Sequence, residues 1–274
     1  MAMDVRLLFG YAKRYIGLYV TSILSALVFV LLELMVTPRW ETFEFMLNDP
    51  AISKSYIADE LVTPIGCLFI STVPELLIIV YFCFFGRDVL RKLHGAWLTN
   101  RPDGIPKELH LGHLSILCLV LTLSINGALT NLLKLVVSNP RPDFISRCHP
   151  EHIDSSRHSD ALFNLDICRQ TDKAVLFEGL KSTPSAHASF VTSGLGFIFL
   201  WQNKFTLQHF TRQLWCPILA LVVMVSRITD HRHHWYDVVS GCVLGLAVMY
   251  GCWRWVFTRA ASGTSLTLPP PVTK

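Results

Sequence analysis

Charge is the first scarcity. Only 16% of the 274 residues are Asp, Glu, Lys or Arg, against roughly 25% in ordinary soluble domains. With 51% hydrophobic residues and a mean hydropathy of +0.42, that deficit argues against a soluble globular protein. It argues equally against intrinsic disorder, a collagen-like fibre or a small disulfide scaffold. Runs of Lys and Arg are missing too: the net charge of +4 is spread along the chain, and no segment suits nucleic acid. There is no internal repeat, no low-complexity tract and no glycine-rich nucleotide loop.

What the chain does have is apolar length. Six charge-poor stretches run from Tyr15 to Leu32, Val62 to Phe85, Leu114 to Leu133, Ala188 to Asn203, Leu214 to Ser226 and Val238 to Trp253. Since a membrane-crossing helix needs about 20 such residues, the expectation is an all-α polytopic membrane protein with about six transmembrane helices. The last three stretches are short enough to suit buried core helices as well. The expected organisation is a cytoplasmic N-terminus over 1–14, a membrane domain over 15–257 and a disordered cytoplasmic tail over 258–274. Lys13 and Arg14 directly precede the first stretch, and no small-residue cleavage site follows it; this reads as an anchor, not a removed signal peptide. Glu33 and Glu75 sit inside apolar stretches, where a carboxylate can mark a proton or ion path. The plainer reading, a group facing a neighbouring helix, is preferred for both, because Glu33 is near a span end and Glu75 follows Pro74.

Loop charge sets the orientation. With the N-terminus inside, the cytoplasmic segments collect Arg6, Lys13, Arg14, Arg87, Arg91, Lys92, Arg101, Lys107, Lys204, Arg212, Arg254, Arg259 and Lys274, as the positive-inside rule requires. The first outer loop is acidic, with Glu41, Glu44, Asp49, Asp59 and Glu60. The exceptions are basic residues at the outer ends of the later spans, and they fall into three clusters. Lys134 to Pro142 straddles the end of the third span; taken alone, its Lys and Arg also suit snorkelling anchors. Thr183-Pro184-Ser185-Ala186-His187 precedes the fourth span. Thr183 as a cap with Pro184 in the first turn would open a helix whose free N–H groups favour an anion. Ser226 to Asp237 joins the fifth and sixth spans, and His233 and Asp237, four apart, share a face if that segment is helical. A carboxylate in that position can fix the imidazole tautomer.

The pattern Lys-x6-Arg-Pro, Pro-Ser-x-His and Ser-Arg-x5-His-x3-Asp resembles that of the type 2 phosphatidic acid phosphatase superfamily. Asn48-Asp49-Pro50, Arg101-Pro102-Asp103-Gly104 and His231-Arg232-His233-His234-Trp235-Tyr236-Asp237 are similar to fungal lipid phosphate phosphatases in particular. One departure is Ala186, where the family usually has Gly. The resemblance implies that Lys134, Arg141, Ser185, Ala186 and Arg227 bind phosphate. It further implies that His233, oriented by Asp237, attacks phosphorus to form a phosphohistidine, and that His187 is the proton donor and later the base. Spacing alone does not say which histidine attacks. It implies no metal and no cofactor; a zinc site on His187, His231, His233 and His234 is disfavoured by the cations beside it. Asp230 is expected to pair with Arg232. The expected partner is an amphiphilic membrane phospholipid: phosphatidate, lysophosphatidate or diacylglycerol pyrophosphate, with sphingoid base phosphates and polyprenyl pyrophosphates open. Oligomeric state is open. A lipid phosphotransferase using the same site, or a phospholipid transporter without chemistry, are the rival readings. Orientation puts the site on the lumenal side, and the short later spans with the fungal resemblance favour the Golgi. In that oxidising compartment Cys148 and Cys168, the two cysteines of the long loop between the first two clusters, are expected to form a disulfide.

Overall fold

The computed structural model describes residues 5–90, 97–98, 101–151 and 161–258; beyond residue 258 the expected tail lies outside the described residues. Those residues form helices α1 (Val5–Arg14), α2 (Ile16–Met35), α3 (Pro64–Ile70), α4 (Val73–Phe84), α5 (Lys107–Val137), α6 (Phe144–Cys148), α7 (Lys173–Glu178), α8 (Ala186–Phe205), α9 (Trp215–Thr229) and α10 (Trp235–Trp253). Among the described residues β pairing is limited to isolated bridges such as Phe45 to Phe163. The protein is all-α and polytopic.

Among the described residues five segments are long and apolar enough to cross a membrane: Ile16–Met35, Pro64–Phe84, Lys107–Val137, Phe210–Thr229 and Trp235–Thr258. Their outward faces carry exposed side chains such as Ile23, Leu77, Ile218 and Val243, which suits a hydrocarbon solvent. The sixth expected span, α8, does not join them because it is the hub. Val191, Leu195, Phe197, Ile198 and Trp201 are buried on it, together with the polar Ser189, Thr192, Ser193 and Gln202. These polar groups bind its neighbours: Asn126 Nδ2 of α5 donates to Ser189 Oγ at 3.1 Å, and Trp201 Nε1 donates to Ser115 Oγ at 2.7 Å. Such bonds hold helices together where the hydrophobic effect offers little between apolar faces.

The second span is broken. Pro74 lacks an N–H, so α3 cannot run through into α4, and the chain turns at Ser71 and Thr72. Gly194 of α8 fits against that turn, where a Cβ would lie 2.4 Å from the Ser71 carbonyl oxygen. Glu75 follows in the first turn of α4, fully buried, and neither carboxyl oxygen has a hydrogen-bond partner among the described residues.

The two ends of the bundle differ. At one end Tyr11, Tyr19, His110 and His113 tie α1 and α2 to α5. His110 Nε2 lies 3.0 Å from the Trp97 carbonyl oxygen, which can only accept, so its Nδ1 accepts from the Tyr11 hydroxyl at 2.7 Å. Tyr11 oxygen then accepts from His113 Nδ1 at 2.8 Å, leaving His113 Nε2 to accept from Tyr19. At the other end the 37–60, 141–151 and 161–181 segments build a small second core on Phe45, Ile52, Phe144, Cys148, Leu176 and Leu180. Cys148 and Cys168 are joined there by a disulfide with their Cα atoms 4.7 Å apart.

Candidate active site

Three segments far apart in sequence meet at this second end. Past Lys134, in the last turn of α5, the chain leaves the helix through Ser138 at φ 46°. Asn139 then fastens all three. Its Nδ2 donates to Thr183 Oγ1 at 2.9 Å and to the Tyr236 hydroxyl at 3.2 Å, and its carbonyl accepts from Ser182 N–H at 3.0 Å. Arg141 N–H donates to the Gly179 carbonyl at 2.8 Å, drawing the first segment against the approach to α8. Helix α10 reaches the first turn of α8 through glycine: at Gly241 a Cβ would lie 2.4 Å from the Ser185 carbonyl oxygen, and at Gly245 one would lie 2.3 Å from that of Ser189. This small-x3-small spacing lets two backbones touch.

The result is one cavity of about 680 Å³. Lys134, Arg141, Ala186, His187, Arg227 and His233 line its polar part, and Phe29, Ile65, Leu68 and Phe190 line its apolar part. Helices α2, α5 and α9 bring their C-terminal ends here, and α3 and α8 their N-terminal ends. Successive passes therefore run in opposite directions. Ser185 and Asp237, also expected at the site, stand behind this lining as fully buried groups.

His233 is 3% exposed, and its Nδ1–H donates to the Ser182 carbonyl at 2.8 Å. That bond fixes the tautomer and leaves Nε2 with a free lone pair. Burial, then Arg141 and Lys134, hold this imidazole well below its ordinary value of 6.5, so it is neutral at physiological pH. The expected direct bond from Asp237 is absent: its Oδ2 is 3.9 Å from His233 Nδ1. The carboxylate instead accepts from Ser182 Oγ at 2.6 Å, from Thr183 Oγ1, and from His234 N–H at 2.8 Å. Helical spacing places Asp237 on the correct face, but the first turn of α10 starts only at Trp235. His233 therefore lies outside the helix, and a backbone carbonyl takes the orienting role.

The cap of α8 also differs from expectation. Thr183 Oγ1 is engaged with Asp237 and Asn139, so Ser185 is the N-cap and accepts from Ala188 N–H at 3.5 Å. Ala186 and His187 then occupy the first turn, whose N–H groups lack intrahelical acceptors. His187 Nε2–H donates to the Val62 carbonyl at 3.1 Å, and Arg227 Nη1 lies 3.4 Å from the same nitrogen.

Carboxylates beside the cations were missed by sequence reasoning. Arg141 Nη2 donates to Glu178 at 2.6 Å. Burial pushes the Glu178 carboxyl up, but Arg141, then Lys134 and Lys181, outweigh it and hold it down to about 2. Arg227 Nη1 donates to Glu60 at 2.7 Å, and Arg232 Nη2 donates to the other Glu60 oxygen at 2.9 Å. Asp230 pairs with Arg227 at 2.8 Å instead of the expected Arg232, because its i−3 partner lies on the same face of α9. Glu33, read as a helix-facing group, also lines the cavity. Glu60 had one available signal, its position directly before the second span; Glu178 had none beyond being an acid close to a cluster.

The PAP2 superfamily model matches residues 115–261, a range that contains all three clusters. Lipid phosphate phosphatase 1 of Saccharomyces cerevisiae is 49% identical over 96% of this chain and 95% of its own length. Diacylglycerol pyrophosphate phosphatase 1 of the same yeast is 29% identical over 78% of this chain and 71% of its own. Lipid phosphate phosphatase 2 of Arabidopsis thaliana is 35% identical over 53% of this chain and 51% of its own. No solved structure matches. A helical membrane bundle with three clustered cations and two histidines at one end thus carries the motifs and the near full-length likeness together: the chain belongs to the PAP2 superfamily.

Proposed function

We propose that this chain is a metal-independent lipid phosphate phosphatase acting on phosphatidate, and also on lysophosphatidate and diacylglycerol pyrophosphate. The observation that carries the reading is a neutral, tautomer-fixed His233 in one cavity with Lys134, Arg141 and Arg227. A phosphate monoester resists attack because its charge repels a nucleophile, so positioning and electrostatic stabilisation do most of the work. The three cations and the first-turn N–H groups of α8 bind the non-bridging oxygens. His233 Nε2 attacks phosphorus, the P–N bond forms and the bond to the lipid oxygen breaks. His187, in its protonated form, gives a proton to that oxygen and becomes neutral. It then takes a proton from water, whose oxygen attacks phosphorus and breaks the P–N bond, freeing phosphate and neutral His233. Asp237 acts through the Ser182–Thr183 segment, as a positioning residue, and Ser185 holds the helix start.

The apolar part of the cavity suits the glycerol and first methylenes of a lipid. Together with the loop charges, the alternating helix ends support six crossings with α8 as the inner one, both termini cytoplasmic and the site lumenal. A Golgi location is carried by the fungal resemblance alone, because the later spans Phe210–Thr229 and Trp235–Thr258, at 20 and 24 residues, are longer than their apolar stretches suggested. Phosphate release from phosphatidate in detergent micelles tests the function. Activity is expected to persist in excess EDTA and to be blocked by vanadate, which mimics a five-coordinate transition state. Complete loss in chelator, restored by zinc, would overturn the assignment.

A further inference from the structure

Arg227 has a fully buried side chain, and each of its three nitrogens already donates a hydrogen bond. Nε donates to Ser226 Oγ at 3.1 Å, Nη2 to Asp230 at 2.8 Å and Nη1 to Glu60 at 2.7 Å. Nη1 is the nitrogen beside the reacting groups, because it lies 3.4 Å from His187 Nε2. Glu60 and His187 both line the cavity. A carboxylate therefore sits on the same guanidinium nitrogen that a phosphate oxygen needs, and two anions on one nitrogen repel each other. Glu60 is not locked there. It lies in the segment before α3, its side chain is 18% exposed, and its other partner, Arg232, keeps further bonds to the Ile57 carbonyl at 2.8 Å and to Asp143 at 3.7 Å.

We propose that Glu60 is a specificity-determining counter-anion. It holds Arg227 until a lipid phosphate displaces it, and it returns when inorganic phosphate has formed. The inference rests on the assignment of Arg227 to phosphate binding. A lipid brings apolar contacts at Phe29, Ile65, Leu68 and Phe190 that a free phosphate cannot make, and this remote binding drives displacement of the carboxylate. Inorganic phosphate and soluble esters lack that drive. The carboxylate thus discriminates against phosphate without a lipid tail and hastens release of the product.

The test compares wild type and Glu60→Gln in micelles, with phosphatidate as substrate and inorganic phosphate or vanadate as competitive inhibitor. The Ki of both anions is expected to fall about tenfold in the variant. The ratio of kcat/KM for p-nitrophenyl phosphate to that for phosphatidate is expected to rise. Ki values equal to or above those of wild type would overturn the role of Glu60. If neither anion inhibits wild type or Glu60→Gln, the assignment of Arg227 beneath it fails instead. Arg227 keeps Asp230 and Arg232 keeps Asp143 in this variant, which preserves their pairing. Should Glu60→Gln not fold, Glu60→Asp, one methylene shorter, is expected to lower both Ki values by a smaller factor, and unchanged values there overturn the proposal equally.

Discussion

Asp237 is the residue whose substitution separates positioning from chemistry. Its carboxylate accepts from Ser182, Thr183 and His234, and Ser182 in turn offers the carbonyl that orients His233. Asp237→Asn is expected to lower kcat by on the order of 10²–10⁴ with KM little changed, leaving residual turnover from a misoriented imidazole. Steady-state kinetics in micelles check this; a purely structural role would lower the folded fraction and leave kcat per folded molecule intact. His233 also makes stability depend on pH. Its folded value lies well below 6.5, so the unfolded chain binds the proton more readily, and the contribution is complete above about 6.5 and shrinks as pH falls below it. Thermal unfolding in detergent is expected to show a shallower loss between pH 6.5 and 5 in His233→Ala than in wild type; parallel slopes would contradict it. Residue spacing made Lys134, Arg141, His187, Arg227 and His233 legible. The orienting Ser182 carbonyl was not, because a backbone group carries no sequence signature. Glu60 and Glu178 were not, because a loop acid looks the same whether it marks topology or neutralises a buried arginine.

At the scale of elements, apolar length located the helices well, since charge exclusion from lipid leaves long marks in a sequence. Tyr15 to Leu32 became Ile16–Met35, and Leu114 to Leu133 became the core of Lys107–Val137. Helix α8 shows the limit of that signal. Its buried Ser189, Thr192, Ser193 and Gln202 lower its hydropathy because these positions face protein. The contact of α10 with α8 went unread for a related reason: Gly241 and Gly245 matter through what lies opposite. Gly241→Ala would put a methyl group 2.4 Å from the Ser185 carbonyl oxygen, so a backbone, not a flexible side chain, must move. The expected outcome is destabilisation by roughly 1–3 kcal/mol together with at least about tenfold lower kcat/KM, about 1.4 kcal/mol at the transition state, since the displaced turn carries Ala186 and His187. Gly251→Ala, with nothing within 4 Å of the added Cβ, is the matched control and is expected to be neutral. Equal behaviour of the two variants, read by melting temperature and phosphate release, would contradict the packing argument.

For the whole molecule, the disulfide and the site are parts of one outer structure. Cys148 ends α6, whose Arg147 pairs with Asp143 at 2.8 Å only two residues from Arg141. The bridge to Cys168 spans 20 residues, and restricting such a loop in the unfolded chain contributes roughly 3 kcal/mol. Mass spectrometry of freshly isolated membranes under non-reducing conditions is expected to find these two cysteines joined and Cys67, Cys83, Cys118, Cys216, Cys242 and Cys252 as free thiols. Alkylation of both Cys148 and Cys168 would contradict the oxidising-side placement of the site. The central claim is that three segments, spread from Lys134 to Asp237 in the sequence, assemble one nucleophilic histidine. Its most direct test is to quench turnover of phosphatidate bearing a radiolabelled phosphate, in excess EDTA, and to map the labelled peptide. The account predicts an acid-labile, alkali-stable label on His233 that is absent in His233→Ala; label on another residue, or label surviving in His233→Ala, would contradict it.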